Sequence, residues 1–470
     1  MAVRISKGVA WAGVRLALAG AAALLSLTAV APPANPAAQS PTAAADAPNG
    51  DYGGYYTWPE VMEKIAGWRA RYPALVHVGS LGKTVEGRDI PLLRLCDNAD
   101  PESDAAEPEV LLMAGIHPRE QQPQVCLYRL VDELLAGYGK DERLTRILRE
   151  RQVWVIPMLN VDGKVYDMKR GNGKDKGADW RKNRRAHPAG KAVGVDLNRN
   201  FPVRWGGFRD PDPLWRTTTV NPSGSIYEGR APLSEPETAA LAKFIESRPN
   251  LRAFLDIHSP LRCILFPAHL IGPEHARFSR LAGGMRDRQK DKPYRITKSE
   301  PDSEPRPGTR TSNTGLTYTW AFYTRGVYSL NFEVGLDARY PPVKEIEAEY
   351  AKNVREPLLH FLEVGGEMPA ARPGMASLLG GSVEGGAKLR PGSTVSYAPR
   401  IAGECAYAVL VSESPDVVVT SEYRNVPVKA GFTLRAPEAA KPGAKAPMAL
   451  YLWDRNRGLS VARFTLTVEE

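Results

Sequence analysis

His117 and Glu120 stand three residues apart in GIHPRE, directly after the apolar run EVLLMA, and His258 closes a second such run, LRAFLDIH. Two imidazoles and one carboxylate are the donor types that hold a catalytic zinc ion when a fourth coordination position stays open. An ion held in that way lowers the pKa of a bound water to about 7 and polarises a carbonyl. Each of the three alone has an ordinary reading, a hydrogen-bonded group on the rim of a sheet; together they read as one site. The spacing is not H-E-x-x-H, so a pair of histidines on one helix is excluded. Glu333 closes a third apolar run, VYSLNFE, and is the natural general base, a carboxylate outside the donor set on a neighbouring strand.

Three polar residues that end apolar runs need a sheet whose strands deliver them to one crevice. Short β-branched runs (ALVHVGSLG, DIPLLRLCD, EVLLMAGIH, RQVWVIPMLN, LRAFLDIHS, VYSLNFEVG) alternate with helical stretches (QVCLYRLVDELLAGYG, SEPETAALAKFIESR, EIEAEYAKNVREPLLHFLEVGG) between Tyr52 and Gly366. The alternation predicts an α/β domain over 52–366, a mixed and mostly buried β-sheet with helices on both faces, its ligands bound at the carboxyl ends of the strands. Ser234 is expected to cap the helix that starts near Pro236, with Glu235 and Glu237 at its positive end. A Pro/Gly-rich linker at 367–375 leads into 376–470, where STVSYAPRI, CAYAVLVSE, DVVVTSEYR, MALYLWDR and SVARFTLTVEE have no helical period. That segment reads as a small all-β, sandwich-like domain, with Tyr407, Tyr423, Tyr451 and Trp453 in its core. No internal repeat is present.

Taken in order, YPALVHVGSLGKTVEGRDIPLLRL, GIHPREQQP, DWRKNRR, GVDLNRNF, YEGRAPLSEPET, FLDIHS and NFEVG resemble the zinc metallocarboxypeptidases of the carboxypeptidase A type (peptidase family M14), over most of 52–366. The resemblance implies the zinc carboxypeptidase fold and one Zn2+ per chain, held by His117, Glu120 and His258. It implies Glu333 as the catalytic glutamate and Arg181 as the group that polarises the scissile carbonyl. Arg119 matches the family's active-site arginine beside the ligand pair. Asn198 and Arg199 match the pair that grips a substrate's terminal carboxylate, for which the planar fork of arginine is suited. Many members carry a tyrosine on a mobile loop whose register falls here near Thr311 in GTRTSNTG; Tyr318 is the first tyrosine after it and becomes the substrate-binding candidate. No acid stands in GLTYTW, which argues for a neutral terminal residue, aromatic or aliphatic.

The resemblance therefore implies a zinc-dependent peptidase that removes the last residue from peptides with a free C-terminus. Two alternatives stay open, a zinc amidase or peptidase acting on cell-wall peptides, and a catalytically silent peptide-binding protein. The chain of 470 residues, 43% hydrophobic and 24% charged, has ample material for a core. Its formal net charge of +9 is spread along the sequence without a nucleic-acid motif, so it reads as a solvated basic surface and not as a nucleic-acid partner site. Arg4, Lys7 and Arg15 precede LALAGAAALLSLTAVA, the pattern of an export signal over 1–31, followed by a Pro/Ala-rich linker over 32–51 and no sizeable pro-segment. The expectation is an exported protein, periplasmic or secreted, monomeric, with no stable membrane insertion once the signal is removed. Cys96, Cys126, Cys263 and Cys405 are expected to be buried thiols, with one disulfide pair allowed. His77, His187, His269, His275 and His360 are read as structural.

Overall fold

Eight strands build the central sheet. They are β1 (Val76–Lys83), β2 (Asp89–Leu95), β3 (Glu109–Ala114), β4 (Gln152–Ile156), β5 (Leu251–His258), β6 (Cys263–Phe266), β7 (Arg295–Lys298) and β8 (Tyr328–Glu333). Their order is β1-β2-β4-β3-β5-β8-β6-β7. The inner strands β4, β3, β5 and β8 run parallel, and antiparallel pairs flank them at β1/β2, β2/β4 and β6/β8. The computed structural model describes residues 54–98, 107–170, 177–188, 190–206, 221–267, 270, 272–298, 314–336, 338–374, 376–383, 387–403, 405–419, 423–425 and 431–470. The expected signal and linker, Thr311 and His269 fall outside them.

Every residue of β3, β4 and β8 is buried, as an inner parallel strand with both faces covered requires. Helix α1 spans Trp58–Arg71, α2 Gln122–Gly137, α3 Glu142–Glu150, α4 Val161–Arg170, α5 Pro236–Glu246, α6 Gly272–Arg286, α7 Thr317–Arg325, α8 Val343–Glu349 and α9 Arg355–Gly366. Strand parity separates the two faces: a Cβ on Gly365 of α9 would lie 2.8 Å from Ala253 Cβ, whereas Asp256 on the opposite face of β5 accepts a hydrogen bond from Thr317 of α7. The single helix expected over 345–366 is instead α8 and α9 joined by a π-turn at Tyr350–Val354. Ser234 does not cap α5. Its hydroxyl donates to Glu235 Oε1 (2.9 Å) and accepts from Asn200 Nδ2 (3.1 Å), and Glu235 is the N-cap, its carboxylate making no capping bond to the helix backbone.

The C-terminal strands are β9 (Arg372–Pro373), β10 (Ser377–Val383), β11 (Thr394–Ala402), β12 (Tyr407–Ser412), β13 (Val418–Val419), β14 (Tyr423–Asn425), β15 (Phe432–Arg435), β16 (Lys445–Trp453) and β17 (Gly458–Thr467). They form two sheets, β10-β11-β15-β13 and β14-β12-β16-β17-β9. Alternation along β12 and β16 gives the second sheet two buried faces. Ala408, Leu410, Met448, Leu450 and Leu452 enter the core of the β-domain, while Val409, Val411, Ala449, Tyr451 and Trp453 join the core of the α/β domain. Tyr451 and Trp453 thus belong to the junction and not to the sandwich core; the side chains of Tyr407 and Tyr423 are outside the described residues. Both domains fall within one compact unit. No described helix is long and apolar enough to cross a membrane.

Candidate metal centre and active site

β3 ends at Ala114, and Gly115 takes a left-handed φ of +71°, which turns the chain so that His117 and Glu120 reach back over the strand ends. β5 brings His258 to the same place, and the parallel register pairs His258 with Glu333 on β8. His117, Glu120 and His258 are all buried, and one ligand atom from each lies within 4.8 Å of the others. Glu120 sits between the imidazoles, its Oε1 2.9 Å from His117 Nδ1 and its Oε2 2.9 Å from His258 Nδ1. The outer nitrogens face second carboxylates, His117 Nε2 at 3.0 Å from Asp196 Oδ1 and His258 Nε2 at 3.1 Å from Asp256 Oδ1.

This arrangement fits a zinc ion. A proton on His117 Nε2, donated to Asp196, leaves its Nδ1 lone pair turned toward the Glu120 carboxylate, and His258 presents its Nδ1 to the same carboxylate with Asp256 at ion-pair distance behind it; a carboxylate behind a ligating histidine orients it and raises its basicity. Four carboxylates, Glu120, Asp196, Asp256 and Glu333, gather with two guanidiniums, Arg181 and Arg199, and a dication compensates the difference. Burial opposes ionisation of Glu120, yet the two imidazoles hold its pKa well below the ordinary range; burial likewise opposes ionisation of Asp196, and Arg181 and His117 hold it well below. His258 is driven the other way against its burial, well above the usual imidazole range, by Asp256 and Glu120. The pocket around it favours positive charge.

Glu333 lies outside the donor set. Burial pushes its pKa up to about 7, with the charge of Glu120 adding to the effect, and its Oε2 accepts from Leu261 N at 3.4 Å. A buried carboxyl that titrates near neutrality is poised to exchange a proton. Arg181 is fixed by its Nε on Asp196 Oδ2 (2.8 Å), with Nη1 3.7 Å from Glu120 Oε1. Asn198 and Arg199 occupy a 3-10 turn, Leu197–Arg199, capped by Asp196 Oδ1 on Asn198 N (3.0 Å). Asn198 Nδ2 lies 3.3 Å from His258 Nε2, its Oδ1 accepts from Thr317 N (3.1 Å), and Arg199 Nη1 donates to Asn198 O (2.6 Å). Arg119 places Nη1 3.4 Å from Asp179 Oδ1 in a cleft of 330 Å3 lined also by Trp180, Arg181, Lys182 and Ser223. Tyr318 is 1% exposed on α7, a buried side chain whose hydroxyl lies in the field of Arg199.

Of the expected site residues, His117, Glu120 and His258 come together, Glu333 is in register with His258, Arg181 lies 3.7 Å from Glu120 and Asn198 3.3 Å from His258, while Arg119 and Arg199 are chain neighbours of Glu120 and Asn198 and Tyr318 follows Thr317 on α7. Reading the sequence missed Asp196, Asp256 and Thr317. Asp256 had a usable signal, since two residues before His258 on a strand places it on the same face.

The zinc carboxypeptidase (peptidase M14) family model matches residues 61–356. The chain is 33% identical over 218 residues to mast cell carboxypeptidase A of Rattus norvegicus, covering 46% of this chain and 48% of the relative. It is 37% identical over 161 residues to a zinc carboxypeptidase of Saccharothrix mutabilis subsp. capreolus, covering 34% of this chain and 35% of the relative. The chain thus spans half or less of the length of these relatives. The crystal structure of carboxypeptidase A from Helicoverpa armigera superposes with a TM-score of 0.56 at 20% identity, over 67% of this chain and 75% of that one, a likeness of fold. With well over half of its length matched by the family model and a His-Glu-His centre at the strand ends, this chain belongs to the zinc carboxypeptidase family.

Proposed function

We propose that the protein is an exported, monomeric zinc carboxypeptidase that hydrolyses the C-terminal peptide bond of peptides and proteins. The observation that carries this reading is Glu333, a buried carboxyl outside the donor set, in register with a ligand of a triad whose family hydrolyses peptide bonds. Zinc bound by His117, Glu120 and His258 supplies Lewis acidity and activation of water at neutral pH.

The remaining roles belong to side chains. Arg199 and the amide of Asn198 bind the terminal carboxylate, which places the last peptide bond over the triad. Arg181, held by Asp196, donates toward the carbonyl oxygen as negative charge grows there, a contribution worth about 3–4 kcal/mol for one well-placed donor. Glu333 takes the proton of the attacking water and returns it to the leaving amine. The Arg119 cleft receives the chain upstream of the scissile bond. Tyr318 lines the pocket for the terminal side chain, and with no acid on its helix segment the favoured residue is neutral.

The test is mass spectrometry of a mixed peptide pool, with free and amidated C-termini, incubated with the full chain with and without a zinc chelator. Single terminal residues are expected to disappear from free-acid peptides only, and chelation to stop this. Glu333→Gln is expected to keep its zinc and lose roughly 100- to 10,000-fold in turnover. Unchanged turnover in that variant would overturn the mechanism. Loss from no peptide, with one zinc per chain present, would overturn the general peptidase reading and make cell-wall fragments the next substrates to test.

A further inference from the structure

The β-domain touches the α/β domain at a mechanically sensitive place. Helix α7 (nine residues) and strand β8 (six residues) form a hairpin whose bend is Gly326–Val327. Its two free ends lie in the site: Thr317 opens α7 and bonds Asn198 and Asp256, and Glu333 closes β8. Both arms are stiff rods, about 14 Å of helix and about 20 Å of strand.

Arg457, from the turn between β16 and β17, grips the bend. It is 4% exposed. Nη2 donates to Gly326 O (2.6 Å), the carbonyl of the residue that caps α7; Nη1 donates to Tyr328 OH (2.7 Å) at the start of β8 and to Glu274 Oε2 (2.8 Å) on α6. Its guanidinium stacks 4.5 Å from the centroid of Tyr328. Arg457 holds this reach with a left-handed φ of +65°, a conformation that persists in a non-glycine residue only when its surroundings enforce it. Beside it Trp453 donates Nε1–H to Tyr323 O (3.0 Å) and lies flat on Phe322, 6.1 Å between centroids and 9° between planes. Gly326, at φ +72°, has no room for a side chain: a Cβ would lie 2.7 Å from Trp453.

We propose that Arg457 is a positioning residue for the active site, by which the C-terminal β-domain sets the placement of the α7–β8 hairpin and so of Asn198, His258 and Glu333. The proposal assigns the β-domain a part in turnover through Arg457. Its kinetic arm rests on the carboxypeptidase reading above; its spectroscopic arm does not.

The test compares the full-length protein with Arg457→Gln and Arg457→Lys. Arg463→Gln, which breaks an exposed ion pair with Glu413 in the same domain, is the control. Folding is followed by thermal melting. In Arg457→Gln, kcat is expected to fall roughly tenfold and KM to rise less, since Asn198 shares the grip on the terminal carboxylate with Arg199, and Arg457→Lys, which keeps the charge without the fork, to recover part of the loss. In the cobalt-substituted protein the visible absorption bands, which report ligand geometry, are expected to shift in Arg457→Gln and stay put in Arg463→Gln. Folded Arg457→Gln with wild-type kcat and unshifted bands would overturn the proposal. Should wild type cleave no peptide, the carboxypeptidase reading fails alone and the cobalt bands still decide the role of Arg457. Should Arg457→Gln not fold, Tyr328→Phe removes only the hydroxyl between Arg457 and Glu274; a smaller shift in the same direction supports the proposal, and no change in bands or kcat overturns it.

Discussion

Asp196 serves His117, Arg181 and the backbone of Asn198 at once, so its loss reaches the metal, the carbonyl and the carboxylate clamp together. Asp196→Asn is expected to weaken zinc binding about 10- to 100-fold, measured by competition with a chromophoric chelator. Its loss of kcat/KM should persist at saturating zinc, because added zinc does not restore the anchor of Arg181. A second residue bears on stability alone. Burial, with Arg288 nearby, pushes the His360 pKa down to about 4, and its Nε2 is buried without a hydrogen-bond partner. A folded pKa below the unfolded value near 6.5 means that the unfolded chain binds the proton more tightly; the contribution is whole above pH 6.5 and lost as pH falls toward 4. Melting temperatures between pH 7 and pH 4 should fall less steeply in His360→Leu than in wild type. His117, His258 and Glu333 were legible in the sequence because each ends an apolar run, and Glu120 because it stands three residues after His117. Asp196 was not, because a single aspartate in a loop carries no sign of the three partners that tertiary structure brings to it.

Among the elements, the turn after β3 decides whether the ligand pair forms. At Gly115 a Cβ would meet Met158 Sδ at 3.0 Å and Met158 Cα at 3.2 Å, in a backbone conformation that side chains avoid. Gly115→Ala is expected to cost about 1–3 kcal/mol in denaturant unfolding and to lower zinc affinity as well, since His117 lies two residues on. The strands β1–β5 and β8 were readable from β-branched runs of ordinary length. β6 and β7, four residues each at one edge of the sheet, are too short to show a period, and they went unseen. The long helical pattern over 345–366 reads as one helix because α8 and α9 keep an apolar face across the π-turn; sequence periodicity does not register the extra residue that such a turn inserts.

Across the whole molecule, the junction between the two domains was the least legible feature. The run Met448–Trp453 in β16 is apolar at every position and buried throughout, the pattern of a strand covered on both faces, but the sequence does not say that what covers Tyr451 and Trp453 is the other domain. The four cysteines carry a different lesson. None forms a disulfide; Cys96, Cys126 and Cys263 are buried and Cys405 is partly exposed. Burial pushes the Cys126 thiol above its ordinary range and that of Cys263 up to about 12, which leaves both almost without the thiolate that reacts. Under native conditions a maleimide dye is expected to attach at Cys405 alone, with one label per chain by intact mass and none in Cys405→Ser. The β-domain therefore comes with its own attachment point for a fluorophore, from which energy transfer to cobalt in the metal centre could follow the two domains in solution without engineering a cysteine.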